Sequence, residues 1–356
     1  MGPSQNEAEP AKISGPRAGL NVVSIGGGTG LSTLLRGLKQ YTALPGGGAT
    51  AKTFRVHDLS AIVTVSDDGG SSGRLRKELN MLPPGDVRNC IVALSEDETL
   101  LSRLFQHRFG QGSELEGHSF GNLFLAALTS ITGDFAEAVK LSSEILATRG
   151  RIFPATTSNV TLEAVMEDGT HVLGETNITA SKSRIRELFL VPDDAEPLPQ
   201  TLDAIRDADI ITIGPGSLFT SLIPNLLVRG IATAIACSSA TKVYVCNLMT
   251  QANESLGRTA ADHLRALNEH GHAQLFDYAL INRTPVSAEL QSKYALEGAT
   301  PIIADLAEVE KLGVIPVLGD YLEEAGVARH ASARVARDLL GLRERVGNAE
   351  QQMPRG

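Results

Sequence analysis

The stretch VVSIGGGTGLSTLLRGL places Gly26, Gly27, Gly28 and Gly30 between an apolar run and a leucine-periodic segment. A helix start leaves its first N–H groups unpaired and carries partial positive charge, and glycines let a phosphate approach them closely. Gly27, Gly28, Thr29 and Gly30 therefore suit an anion cradle; the ligand-free alternative is a tight strand-to-helix turn. The spacing is not G-x-G-x-x-G, because Leu31 takes the third glycine place counted from Gly26. Nor is it a Walker loop, because no lysine follows the run. A second loop, GPGSLFTS, offers the amides of Gly214 and Gly216 and the hydroxyls of Ser217 and Thr220.

Acidic and polar turns accompany the two loops. In SDDGGSSGRLR, Asp67 and Asp68 precede Gly69 and Gly70. A carboxylate there suits a ribose hydroxyl, a magnesium ion or a base edge; the alternative is a cap for the helix from Arg74. One aspartate is expected to cap and the other to touch ligand, in either order. PPGDVRNC supplies Asp86 as an N-cap, Arg88 as its partner or an anion ligand, and Asn89. GHSFGN brings His118, Ser119 and Asn122 into a loop that enters a helix. A single histidine is more often a structural hydrogen-bonder than a catalyst.

Short β-rich runs alternating with helical stretches must position these groups, and that alternation implies a mainly parallel sheet covered by helices. NVVSI, LSAIVTV, IRELFLV, ADIITI, KVYVCNLMT, FDYALIN and GVIPVL read as strands. LSTLLRGLKQ, RNCIVALSEDETLLSRLFQHRF, SFGNLFLAALTSI, PLPQTLDAIRDA and TAADHLRALNEH carry helical periodicity. NVTLEAVMEDGTHVLGETNI alternates around EDGT and predicts a β-hairpin inserted over about residues 151–180. TALPGGGATAKTF reads as a loose turn region, and ARHASARVARDLLGLRERV as a basic amphipathic helix. The expected organisation is a disordered lead-in over residues 1–19, one Rossmann-like α/β unit over 20–336, and a helix end with a polar tail over 337–356.

Composition narrows the partners. The chain has 356 residues, 42% hydrophobic and 4% aromatic, no Trp, and a formal charge of −9. Such a surface argues against nucleic acid and against an anionic membrane, while leaving room for a small anion held locally. Cys90, Cys237 and Cys246 form no metal spacing and read as buried thiols in a reducing compartment. The apolar stretch near Ile210–Cys237 is broken by glycine, proline and Arg229, so no membrane insertion is expected, and with no signal-like N-terminus the expected location is cytoplasmic.

VSIGGGTGLSTLLRGLK, SAIVTVSDDGGSSGRLRKEL, PPGDVRN, GHSFGNLFLAALT, ITIGPGSLFTSLIPNLL and YVCNLMTQ together resemble the gluconeogenesis factor (YvcK-like) family. That family lies within the superfamily of the 2-phospho-L-lactate transferases, and the similarity runs from about Asn21 to Ala336. It implies a Rossmann-like core and binding of a nucleotide sugar such as UDP-N-acetylglucosamine. It also implies regulation of cell shape and envelope synthesis during gluconeogenic growth, with no established reaction. Tyr294 in YALEG and Arg329 in ARHAS match ligand-directed family positions, and suit a uracil ring and a pyrophosphate; a packed tyrosine and an exposed helix-start arginine are the alternatives. Ser332 falls where the family can carry a phosphorylatable threonine. After NLMTQ the family's Pro-Gly-Glu-Thr is replaced by Ala252, Asn253, Glu254 and Ser255.

Two functions follow as expectations. In the first, a nucleotide-sugar sensor, the glycine amides flank the diphosphate, and Asp67, Asp68 and Asn89 fix the ribose or sugar. Tyr294 and Arg329 close the site, and a protein partner in envelope synthesis reads the bound conformation. No cofactor is required, although NAD as well as a UDP-sugar could occupy two such loops. The alternative is a phospholactate-type transferase joining that group to a deazaflavin alcohol and releasing a guanine nucleotide, with Asp67 or Asp68 on magnesium. A homodimer is the base-rate expectation.

Overall fold

A computed structural model describes residues 19–42, 55–96, 100–112 and 114–352. Residues 1–18, most of TALPGGGATAKTF and the last four residues of the tail lie outside these.

The chain opens with β1 (Leu20–Gly26), α1 (Gly28–Lys39) and β2 (Val56–Val63). Five helices follow: α2 (Gly70–Leu79), α3 (Gly85–Leu94), α4 (Leu100–Gln106), α5 (Phe120–Thr132) and α6 (Phe135–Ile145). After β3 (Arg151–Pro154) come β4 (Thr161–Met166), β5 (His171–Leu173), α7 (Glu175–Ala180) and β6 (Ile185–Val191). The second half runs α8 (Pro199–Arg206), β7 (Ile210–Ile213), a π-helical turn (Leu218–Leu222), α9 (Ile223–Leu227), α10 (Ile231–Cys237) and β8 (Thr241–Val245). It continues with α11 (Ala260–Gly271), β9 (Tyr278–Asn282), α12 (Ala288–Ala295), α13 (Leu306–Lys311) and β10 (Ile315–Gly319). It closes with β11 (Leu322–Glu324), β12 (Ala328–His330) and α14 (Ser332–Gln352).

Seven strands form one sheet in the order β10-β9-β8-β7-β1-β2-β3, and every neighbouring pair is parallel. The chain builds outward from β1 to β3, then returns across the sheet to β7 and builds the other way. Strand order therefore reverses between β1 and β7, the place where doubly wound α/β sheets bind ligands. The strands read as unbroken apolar runs because both faces are covered. Val23 and Ile25 of β1 enter one core layer and Val22 the other; Ile211 and Ile213 of β7 split from Ile210 in the same way. On α1, Leu31, Leu34, Leu35 and Leu38 are at most 1% exposed, and each stabilises the fold by about 1.5–3 kcal/mol. They share a core layer with Val87 and Ile91 of α3 and Val335 and Leu339 of α14.

The hairpin around EDGT is present, with Gly169 at φ +85 in its turn, and β6 joins it to make an antiparallel sheet in the order β5-β4-β6. Leu162, Ala164, Leu188 and Leu190 bury its inner face in the first core layer. Four local expectations are revised. Arg151–Pro154 is the edge strand of the main sheet, so the insertion starts later than residue 151 and extends to Val191. The stretch RNCIVALSEDETLLSRLFQHRF forms two helices, α3 and α4, rather than one. Ala328–His330 pairs with β11 as a strand, and the last helix begins only at Ser332. Cys237, at the end of α10, is exposed, whereas Cys90 and Cys246 are buried.

Among the described residues no single helix is long and apolar enough to cross a membrane. Leu218–Leu227 and Ile231–Cys237 together have the length and composition, but an 80° bend separates them. Leu222, Ile223, Ile231 and Ile235 along them are core residues.

Candidate functional site

The loops after β1 and β7 meet at the reversal of strand order. A Cβ at Gly30 would overlap the carbonyl of Pro215, so only glycine allows the two backbones to touch there. A Cβ at Gly27 would stand 2.6 Å from an Asp86 carboxylate oxygen and 2.7 Å from Thr64 Cγ2. Gly28 adopts φ +62, a region that L side chains rarely enter. The Asp86 carboxyl lies close enough to the Gly28 backbone for the amide to favour its charged form. Asp86 is thus not the N-cap of α3: Pro84 holds that place, and Asp86, one residue inside the helix, braces the glycine loop. Burial, the main cause, raises its pKa to about 6. The N–H groups of Thr29 and Gly30 meet no acceptor among the described residues.

The second loop is built differently. The N–H of Gly214 donates to Ile25 O within the sheet. Asn247 grips Gly216 from both sides, accepting its N–H at 3.1 Å and donating to its carbonyl at 2.7 Å. Ser217 Oγ donates to Gln251 Oε1 at 2.7 Å. Glu254 is 4% exposed and accepts the N–H groups of Phe219 and Thr220 at 2.7 and 2.9 Å. The amides of Gly214 and Gly216 that the sequence offered to a phosphate are therefore taken by Ile25 O and Asn247 Oδ1, and those of Phe219 and Thr220 by a carboxylate of this chain. What the loop contributes is a wall and the close approach to Gly30.

A two-lobed cleft opens over these loops. The larger lobe, about 630 Å³, is lined by Thr29 and Gly30, by Asn89, and by Arg36, Arg88, Arg108 and Arg329. The smaller, about 300 Å³, runs from Gly27–Gly30 over Gly216 and Ser217 to Asn247 and Gln251. Thr29, Gly30, Tyr294, Ala328 and His330 line both. Tyr294 Oη accepts the Ala328 N–H at 3.2 Å, which ties α12 to β12. His330 Nε2 bonds the Cys246 carbonyl at 3.0 Å, and burial lowers its pKa to about 4, so the ring is neutral. Arg329 is exposed at the rim, on a strand rather than at a helix start.

The other predicted residues line neither lobe. Asp67 accepts the Gly69 N–H at 2.8 Å where α2 begins, and Gly70 is the first residue of that helix. Asp68 accepts both the N–H and the hydroxyl of Thr176, tethering α7 of the insertion. His118 and Asn122 are buried and both bond Ser71 Oγ, at 3.1 and 3.0 Å, so they brace the first turn of α2. Glu175 completes an acidic group: burial, then Asp67, Asp86 and Asp68, raises its pKa to about 9. Among the described residues no set of three His, Cys, Asp or Glu is close enough to hold a metal ion.

Arg36, Arg108, Asn247, Glu175 and Glu254 were not singled out by the sequence. Arg36 had a signal, since Thr29, Thr33 and Arg36 follow one another at helical spacing on α1, and all three line the larger lobe. Arg108 and Asn247 come from distant segments and had none.

The profile of the family described as 2-phospho-L-lactate transferase CofD matches residues 22–322. A protein of Halalkalibacterium halodurans named gluconeogenesis factor is 50% identical over 333 residues, 93% of this chain and 99% of its own. The gluconeogenesis factor of Bacillus subtilis is 48% identical over 323 residues, 90% of this chain and 97% of its own. A crystal structure of a Bacillus halodurans protein matches with a TM-score of 0.84 at 50% identity, covering 90% of this chain and 99% of that one. This chain therefore belongs to the CofD-like family and, within it, to the gluconeogenesis factors.

Proposed function

We propose that this protein acts as a gluconeogenesis factor by sensing a nucleotide sugar of the UDP-N-acetylglucosamine type. In this reading the bound form is recognised by a protein partner that controls cell shape and envelope synthesis during gluconeogenic growth. The observation that carries the proposal is the pair of unsatisfied N–H groups of Thr29 and Gly30 on the wall shared by both lobes. Backbone amides at a helix start favour a diphosphate. A diphosphate held there directs the nucleoside into one lobe and the sugar into the other. Tyr294, on both lobes, offers a ring to stack against.

Calorimetric titration with UDP-N-acetylglucosamine, with NAD and a guanine nucleotide as controls, tests this. Saturable binding that weakens in Gly28→Ala and Arg329→Ala is the expected result. Absence of UDP-sugar binding, with magnesium-dependent guanine nucleotide binding in its place, would instead favour phospholactyl transfer. One observation speaks for that second reading: Asp86 stands against Gly27, and Asp67 and Glu175 are near enough to it to interact through their charges. Magnesium is commonly held by one or two carboxylates together with substrate phosphates.

A further inference from the structure

The larger lobe has more positive charge than a diphosphate at the glycine loop uses. Arg36, Arg88, Arg108 and Arg329 line it, and among the described residues no carboxylate does. Arg36 and Arg329 have no hydrogen-bond or ion-pair partner among the described residues. Arg108 Nη1 donates only to the Gly117 carbonyl. Arg88 is 8% exposed and is held by Ser119 Oγ at 2.6 Å and Asn89 Oδ1 at 2.8 Å, yet its Nε is buried with no acceptor. Burial and then the nearby Arg108 both lower its pKa. Bringing guanidiniums together, one of them out of water, costs free energy that the nearby Asp86 and Asp67 offset only in part and that an incoming anion recovers. All four are arginines, whose planar fork matches a carboxylate or phosphate with two parallel hydrogen bonds.

We infer that the larger lobe receives a further anionic group on the nucleotide-linked ligand, a carboxylate or a phosphate, and that this lobe selects charged ligands over neutral ones. The inference rests on the proposed nucleotide-sugar reading and refines its ligand class. Thr29 and Gly30 take the diphosphate where the two lobes meet, and the arginines that line the larger lobe take the additional anion.

UDP-glucose and UDP-glucuronic acid make the test, because they differ only in a hydroxymethyl group against a carboxylate. NAD and NADP make a second pair, differing by one phosphate. Each is titrated by calorimetry into the full-length protein, into Arg36→Ala and into Arg329→Ala, and melting curves check that the variants fold. The charged member of at least one pair is expected to bind about tenfold tighter or more, and the ratio to shrink in both variants. Preference for the glucuronate identifies a sugar carboxylate as the anion; preference confined to NADP identifies a phosphate. Equal affinities within both pairs, or ratios untouched by both substitutions, overturn the inference and leave nucleotide-sugar binding standing. Binding of charged ligands alone upholds the inference and removes the neutral sugar from the proposed function. Binding of none overturns both.

Discussion

At Gly30 the nearest obstacle to a side chain is the Pro215 carbonyl, which is backbone and cannot swing aside. Gly30→Ala is expected to lower stability by about 1–3 kcal/mol, as overpacking does, and to abolish ligand binding by parting the loops. An unchanged urea midpoint would refute the contact. Gly28 is the opposite case: a Cβ there has room, the nearest atom being Ser221 Oγ at 3.8 Å, but φ is +62. Gly28→Ala should cost about 1 kcal/mol from backbone strain. Glycine density in the sequence signalled a special turn; it did not separate these two reasons, because one depends on a loop that is remote in sequence. The carboxylates behind the turn give a pH signature. Asp86 and Glu175 have folded pKa values of about 6 and about 9, above the ordinary carboxylate range. A raised acid pKa means that the folded state binds more protons than the unfolded one. The corresponding stability is full at low pH and is lost as pH rises through about 6 and then about 9. Glu175→Gln should flatten the upper part of that decline in denaturation curves taken between pH 7 and 10. An equally steep loss in the variant would place the titration elsewhere.

The elements were legible where a local pattern sets them. Leucines at i, i+3, i+4 and i+7 define α1, alternation around a Gly-containing turn defines the β4–β5 hairpin, and strand–glycine–helix grammar marks both loops. Pairing partners were not legible, since a parallel neighbour lies a whole crossover away; β3 was therefore merged with the insertion. The fate of the second helix start was also hidden. Glu254 comes from the QANES turn, where the resemblance led to an expectation of Pro-Gly. Asn253 adopts φ +59 there, a conformation asparagine tolerates, and Ser255 Oγ accepts the Gln251 N–H at 2.9 Å. The turn closes without Pro-Gly and delivers Glu254 to the amides of Phe219 and Thr220. Glu254→Ala leaves two buried donors unpaired, and a loss of about 2–4 kcal/mol in chemical denaturation is expected. Glu254→Gln, which keeps one acceptor, should lose clearly less. Equal losses would mean that the cap is not what the carboxylate provides.

Across the whole molecule, the cleft joins the two ends of the chain. Thr29 and Gly30 come from the first strand–helix unit, and Ala328, Arg329 and His330 from β12, just before the last helix. Helices α1 and α14 pack directly: a Cβ at Gly37 would overlap the Ser332 carbonyl, and Leu38 and Leu339 share a core layer. The chain carries −9 overall, yet among the described residues the larger lobe presents four guanidiniums and no carboxylate. An anionic ligand is thus repelled by the surface at large and attracted at one place, so its affinity should fall as salt rises. A ligand bridging α1 and β12 couples these distant segments in one opening equilibrium. Hydrogen exchange with saturating UDP-N-acetylglucosamine should therefore slow amides over residues 28–33 and 328–331 together, and Arg329→Ala should remove protection from both. A ligand present at about 100 times its Kd adds about 2.7 kcal/mol to stability, enough to register at both segments. Protection confined to residues 28–33 would place the ligand on the glycine loop alone, and the C-terminal strand would then be only a wall.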